Sequence, residues 1–103
     1  MMAKIKVAKV GDVPEGEFKK VDVNGEPVAL FNVEGKIYAT QNECSHVGCG
    51  LDENHAIEGE VVECTCHGSK FNIKTGAVVL PPATDPLKTY QVSVEGEDVF
   101  VEA

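Results

Sequence analysis

All four cysteines and two of the three histidines fall in two short segments, Cys44-Ser45-His46-Val47-Gly48-Cys49 and Cys64-Thr65-Cys66-His67-Gly68-Ser69. Cys44 and His46 form a C-x-H pair, Cys64 and His67 a C-x-x-H pair, and the 17 residues between His46 and Cys64 allow one excursion of chain that returns. Two thiolates and two imidazoles are a four-ligand metal set. Thiolates suit soft metals and imidazole suits zinc, copper and iron, so the residues leave two candidates: a tetrahedral zinc site, or an iron-sulfur cluster with mixed ligands. Structural zinc sites commonly draw on C-x-x-C knuckles, whereas each segment here offers one cysteine and one histidine in that role, with a further cysteine close by.

The elements that must position these groups read as strands. Turn signals recur every ten or so residues, and the stretches between them are short and rich in Val, Ile, Phe and Tyr. The predicted strands are 4–10, 17–23, 27–33, 36–41, 60–63, 70–73, 77–80, 89–94 and 98–101, with no long helical stripe. Asn24-Gly25 is a two-residue hairpin turn that needs positive φ, and Glu34-Gly35, Thr75-Gly76 and Glu95-Gly96 mark further reversals. Apolar residues at Phe18, Val21, Val23, Val28, Leu30, Tyr90, Val92 and Val94 mostly favour one face. The fold class is therefore all-β, a small antiparallel sandwich or barrel of about nine to ten strands. Each cysteine-histidine pair sits at a tip between strands, where Gly48, Gly50 and Gly68 permit a tight turn, and two facing tips would enclose a cofactor. The run Pro81-Pro82-Ala83-Thr84-Asp85-Pro86 cannot supply a regular ladder and is assigned to a loop.

Length and charge narrow the function classes. The chain of 103 residues suits a single domain, 1–103. The longest uncharged apolar run, Ala77 to Pro82, contains two prolines, and the N-terminus has no apolar core of signal-peptide length, so a cytoplasmic protein without a membrane segment is expected. Seventeen acidic residues against nine lysines and no arginine give a net charge of -8, which disfavours nucleic acid and anionic membranes and favours a partner with a basic docking patch. No Ser-His-Asp order, phosphate-binding glycine loop or dinucleotide fingerprint supports a catalytic site.

The pattern C-x-H, 17 residues, C-x-x-H and then Gly-Ser resembles the signature of Rieske iron-sulfur proteins, and the resemblance extends over almost the whole chain as a soluble ferredoxin of minimal length. It implies one [2Fe-2S] cluster, with Cys44 and Cys64 on the inner iron and His46 and His67 on the outer iron. It also implies a cluster-binding part at one end of the fold, about residues 41–86, with the loop from Pro81 to Pro86 covering the cluster and Pro86 to Val92 as the return strand. Replacing two anionic thiolates by neutral imidazoles removes negative charge, so adding an electron costs less and the potential rises. The implied function is that of a one-electron carrier, not an enzyme, passing electrons from a reductase to an oxygenase or another acceptor, and working as a monomer. The alternatives are a small iron-sulfur subunit of a larger oxidoreductase, of the nitrite-reductase or respiratory type, and a structural zinc module used for binding.

Cys49 and Cys66 are not needed by the four-ligand pattern. Their positions resemble those of the family's high-potential branch, which implies a disulfide joining the two cluster loops; the alternative is two buried thiols. By the same resemblance Ser69 matches a serine that donates a hydrogen bond to a cluster sulfur, against an ordinary turn serine. Phe71 stands where high-potential members carry a tyrosine bonded to a cysteine ligand, so an intermediate potential is expected. His55 reads as a solvated loop histidine, Glu58, Glu60 and Glu63 as a steering patch or a solvated strand face, and Tyr38 and Tyr90 as core residues.

Overall fold

The structure is a computed structural model that describes residues 3–44, 49–66, 68–81 and 83–102. Among these it contains eleven strands: β1 (Lys4–Lys9), β2 (Phe18–Val23), β3 (Glu26–Val33), β4 (Lys36–Gln41), β5 (His55–Glu58), β6 (Val61–Cys64), β7 (Ser69–Asn72), β8 (Val78–Leu80), β9 (Thr89–Tyr90), β10 (Val92–Glu95) and β11 (Asp98–Glu102). A single 3-10 turn, Val10–Asp12, follows β1, and Asp12 Oδ2 accepts the Lys9 N–H at 3.0 Å. No helix of the described residues is long and apolar enough to cross a membrane.

The strands make three antiparallel sheets in the orders β1-β11-β10, β2-β3-β4-β9 and β5-β6-β7-β8. The middle sheet separates two cores. Ala29, Phe31 and Val33 of β3 join Val62, Phe71, Ile73, Leu51, Cys44 and Cys64 on one side. Val28 and Leu30 join Val23, Ile37, Ala39, Val99 and Val101 on the other. Because side chains alternate across a strand, a strand buried on both faces must be apolar at successive positions. That is why Val28-Ala29-Leu30-Phe31 is a continuous, fully buried run. Phe18 likewise leaves the face of Val21 and Val23. It lies directly opposite Phe31 and meets it edge-on, with ring centroids 5.3 Å apart.

Turn chemistry fixes the registers. Asn24 and Gly25 (φ 53° and 87°) join Val23 to its partner Glu26, and Glu34 and Gly35 (φ 54° and 88°) join Val33 to Lys36. Both are two-residue turns with positive φ at both central positions, the geometry whose twist matches that of the flanking strands.

Two departures from the sequence reading stand out. The stretch 89–94 is two strands: β9 pairs with β4, β10 pairs with β11, and at Gln91, whose carbonyl accepts the Glu102 N–H at 2.9 Å, the chain changes sheets. The polar stretch that ends at His55 leads directly into β5, so His55 is a strand residue paired opposite Cys64.

Candidate metal centre between two hairpins

The first cysteine-bearing segment leaves β4 through Asn42 and is closed at its base by a bridge between Glu43 and Gly50 and by the Cys44 N–H, which donates to the Cys49 carbonyl at 2.7 Å. Asn42 clamps the return of this loop: its Nδ2 donates to Asp52 Oδ1 at 2.8 Å and its Oδ1 accepts the Asp52 N–H at 3.1 Å. The Leu51 N–H adds a bond to the Asn42 carbonyl at 2.7 Å. The Asn42 amide beside the Asp52 carboxyl holds its pKa below the usual value, with a smaller contribution from Lys20, whose Nζ lies 3.8 Å away.

The second segment is the hairpin between β6 and β7. Cys64 pairs with Ser69, and the Gly68 N–H donates to the Cys64 carbonyl at 2.9 Å. Gly68 has φ 82°, a conformation that glycine adopts without a steric penalty. The Thr65 N–H donates to the Asn54 carbonyl at 3.2 Å, tying this hairpin to the chain that follows the first loop.

Cys44 and Cys64 stand at the feet of these two hairpins, 3 % and 1 % exposed, in the same apolar cluster. Cys49 and Cys66, further out, are joined by a disulfide with Cα atoms 6.6 Å apart and a sequence separation of 17. A loop of that size contributes about 3 kcal/mol in the chain-entropy model, which treats the effect as a constraint on the unfolded chain. The Cys64 sulfur and both disulfide sulfurs lie within 4.8 Å of one another. The two bonded sulfurs are not thiolate donors, so this proximity marks where the disulfide sits and is not a second metal site. His46 and His67 lie outside the described residues.

A third loop reaches the second hairpin. Ala83 is buried, and its N–H donates to Ser69 Oγ at 3.0 Å, a contact between groups 14 residues apart. Ser69 itself is fully buried. Since its oxygen accepts from Ala83, the hydroxyl hydrogen is available to another acceptor. The loop is anchored at its far end by the Leu87 N–H, which donates to the Gly76 carbonyl at 2.8 Å. Gly76 has φ 79°, and a Cβ there would come within 2.1 Å of the Leu87 carbonyl oxygen. Phe71, two positions beyond Ser69, is fully buried in the core that holds both Cys44 and Cys64.

Several residues in this region escape a reading of the sequence. His55 is half-buried; its ring stacks on Phe18 at 4.6 Å, and Nδ1 donates to the Leu51 carbonyl at 2.5 Å. A carbonyl can only accept, so the hydrogen is on Nδ1. The solvated histidine expected from its polar neighbours is thus a packed one. The Asn42–Asp52 clamp spans ten residues and the Ser69–Ala83 contact 14, and neither has a local signal. Of the three acidic residues, Glu60 pairs with Lys74 at 3.3 Å. Tyr38 packs against the core that holds the cysteines, and Tyr90 against the other, with its hydroxyl donating to Glu26 at 3.1 Å.

The chemistry of this donor set suits an iron-sulfur cluster. Two buried thiols are presented from separate hairpins, the hairpins are covalently joined, and a buried hydroxyl with a hydrogen to donate stands beside one of the thiols. Known proteins agree. The Rieske [2Fe-2S] domain matches residues 3–91. The chain is 43 % identical over 97 residues to the biphenyl dioxygenase ferredoxin subunit of Pseudomonas sp. strain KKS102, covering 94 % of this chain and 89 % of that protein. It is 44 % identical over 101 residues to the 3-phenylpropionate/cinnamic acid dioxygenase ferredoxin subunit of Escherichia coli K12, covering 98 % and 94 %. Its fold superposes with a TM-score of 0.89 and 34 % identity on a chain from the complex of reduced oxygenase and oxidized ferredoxin in carbazole 1,9a-dioxygenase, covering 95 % of this chain and 91 % of that one. The chain belongs to the Rieske [2Fe-2S] family, a ferredoxin-type one-electron carrier with a single Rieske [2Fe-2S] cluster.

Proposed function

We propose that this protein is the ferredoxin of an aromatic-ring dioxygenase system, taking one electron at a time from a reductase in the cytoplasm and passing it to the oxygenase component. The observation that carries this reading is the pair of buried cysteines at the feet of two stapled hairpins, in a chain that spans nearly the full length of dioxygenase ferredoxin subunits. Sequence similarity to proteins named as ferredoxin subunits of dioxygenases favours an independent carrier over a small subunit of the nitrite-reductase or respiratory type.

In this reading Cys44 and Cys64 would hold the inner iron and His46 and His67 the outer one, with the cluster-binding part spanning about residues 41–86 of a single domain. When bound, the cluster supplies a one-electron couple within roughly -150 to +300 mV. The chain's own groups do the rest. Burial of Cys44 and Cys64 in an apolar core strengthens every electrostatic contact made there. The Ser69 hydroxyl, its oxygen fixed by Ala83, would donate its hydrogen to a cluster sulfur and so favour the reduced, more negative state. The Cys49–Cys66 bond holds the two loops at a fixed separation. Phe71 offers no second donor, which sets an intermediate potential.

Low-temperature electron paramagnetic resonance of the dithionite-reduced protein tests the assignment. Mixed histidine and cysteine ligation gives an average g value below that of all-cysteine clusters. Colourless, iron-free protein after anaerobic preparation would remove the proposal.

A further inference from the structure

The outward face of the β5–β8 sheet is more apolar than a solvated sheet face requires. Cross-strand register sets Ala56, Glu63, Lys70 and Leu80 in one row across all four strands, on the face opposite the buried Val62 and Phe71. Among the described residues, the large apolar side chains left exposed are Val79 (52 %), Leu80 (45 %) and Val94 (46 %). Two of these are neighbours on β8, an edge strand. Beside them lies a groove of about 240 Å³ lined by the apolar Ile57, Val61 and Val79 and by Glu58, Glu63 and Lys70.

Charge and position indicate what this face meets. Five acidic groups elsewhere are in ion pairs: Glu95 with Lys4, Asp98 with Lys6, Asp52 with Lys20, Glu60 with Lys74 and Glu26 with Lys88. Glu58 and Glu63 are in no ion pair among the described residues, so two uncommitted carboxylates flank the apolar groove of a protein that already carries a net charge of -8. Complementary charge across an interface speeds encounter and fixes register, while a buried apolar side chain at its centre supplies most of the affinity. The groove also adjoins the cysteine-bearing hairpin between β6 and β7. Glu63 immediately precedes Cys64, Lys70 immediately follows Ser69, and Leu80 leads into the third loop. Electron transfer weakens steeply with distance, so a productive docking surface must be continuous with these loops.

We infer that this face is the side wall of the docking surface for the oxygenase component, taking an apolar side chain of that protein flanked by lysine or arginine. The inference rests on the ferredoxin function proposed above and adds which face turns toward the acceptor.

The test mixes reduced holoprotein with the purified oxygenase component of the Escherichia coli 3-phenylpropionate/cinnamic acid dioxygenase and follows its reoxidation by stopped flow. Potentials are measured in parallel to exclude a change in driving force. Replacing Val79→Ser and Leu80→Ser together should slow the second-order rate about tenfold or more at unchanged potential, and Glu58→Lys should slow it and flatten its dependence on salt. Val94→Ser, an equally exposed apolar residue on the far sheet, should react as the parent does, and reduction of all variants by the reductase component of that system should keep the parent rate. Parent-like reoxidation of the Val79/Leu80 variant, or a loss confined to reduction by the reductase, would overturn the inference and leave the ferredoxin function standing. Failure of the unaltered protein to pass electrons to the oxygenase would overturn both.

Discussion

Ser69 has one oxygen and one hydrogen, and the fold commits the oxygen to Ala83 in the third loop. Ser69→Ala therefore has two separable consequences. Leaving the Ala83 N–H without an acceptor in a buried setting costs about 1–3 kcal/mol of stability, measurable by denaturant unfolding. Removing a hydrogen bond to a charged acceptor, worth about 1.5–3 kcal/mol, lowers the potential by about 60–130 mV in protein-film voltammetry. An unaltered potential with reduced stability would confine the serine to a structural role. Phe71→Tyr probes the same shell from the opposite direction, since the new hydroxyl enters the core shared with Cys44 and Cys64. The potential should rise; an unchanged or lower value contradicts the hydrogen-bond argument.

At the scale of the element, the loops around the site depend on a few fixed points. Gly76→Ala would force a Cβ into the Leu87 carbonyl at a φ that disfavours side chains, so a loss of at least about 3 kcal/mol is expected, together with faster loss of colour from the holoprotein on dilution. The Asn42–Asp52 clamp gives a pH signature. The folded pKa of Asp52 lies below its unfolded value of about 4, so its contribution is fully present above that value and fades as pH falls through the folded pKa. The stability gap between the parent and Asp52→Asn, measured by urea unfolding, should therefore be open at pH 7 and close as the pH falls below about 4. Much of this level was legible in the sequence. Turn pairs such as Asn24-Gly25 and Glu34-Gly35 need positive φ and fix the neighbouring strands, and the cysteine spacing located both hairpins of the site. What escaped has a physical reason in each case. The β5 strand is short and enters from a polar stretch, and His55 gains its burial from Phe18, 37 residues away. The apolar pattern at Tyr90, Val92 and Val94 runs on through Gln91 without a sign that the chain changes sheets there. Ser69 was found by resemblance, but Ala83, which orients it, lies across a loop.

The whole molecule carries a net charge of -8, with five of its nine lysines paired to carboxylates. Long-range attraction to a basic partner is screened over about 8 Å at physiological ionic strength and over about 30 Å at 0.01 M. Electron transfer to the oxygenase should accordingly slow as salt is raised across that interval, read from the same stopped-flow traces; a rate that is flat or rises with salt would count against electrostatic steering.

The middle sheet, with side chains of β3 entering two separate cores, makes the two halves of the protein inheritable on different terms. Odd-numbered positions 29, 31 and 33 answer to the half that bears the cysteines, and even-numbered positions 28 and 30 to the half that does not. A lineage can thus rework the reducing power of such a carrier through one set of alternate residues while its scaffold remains unchanged. Grafting the redox half onto a foreign barrel would succeed only if every second residue of the party wall travelled with it.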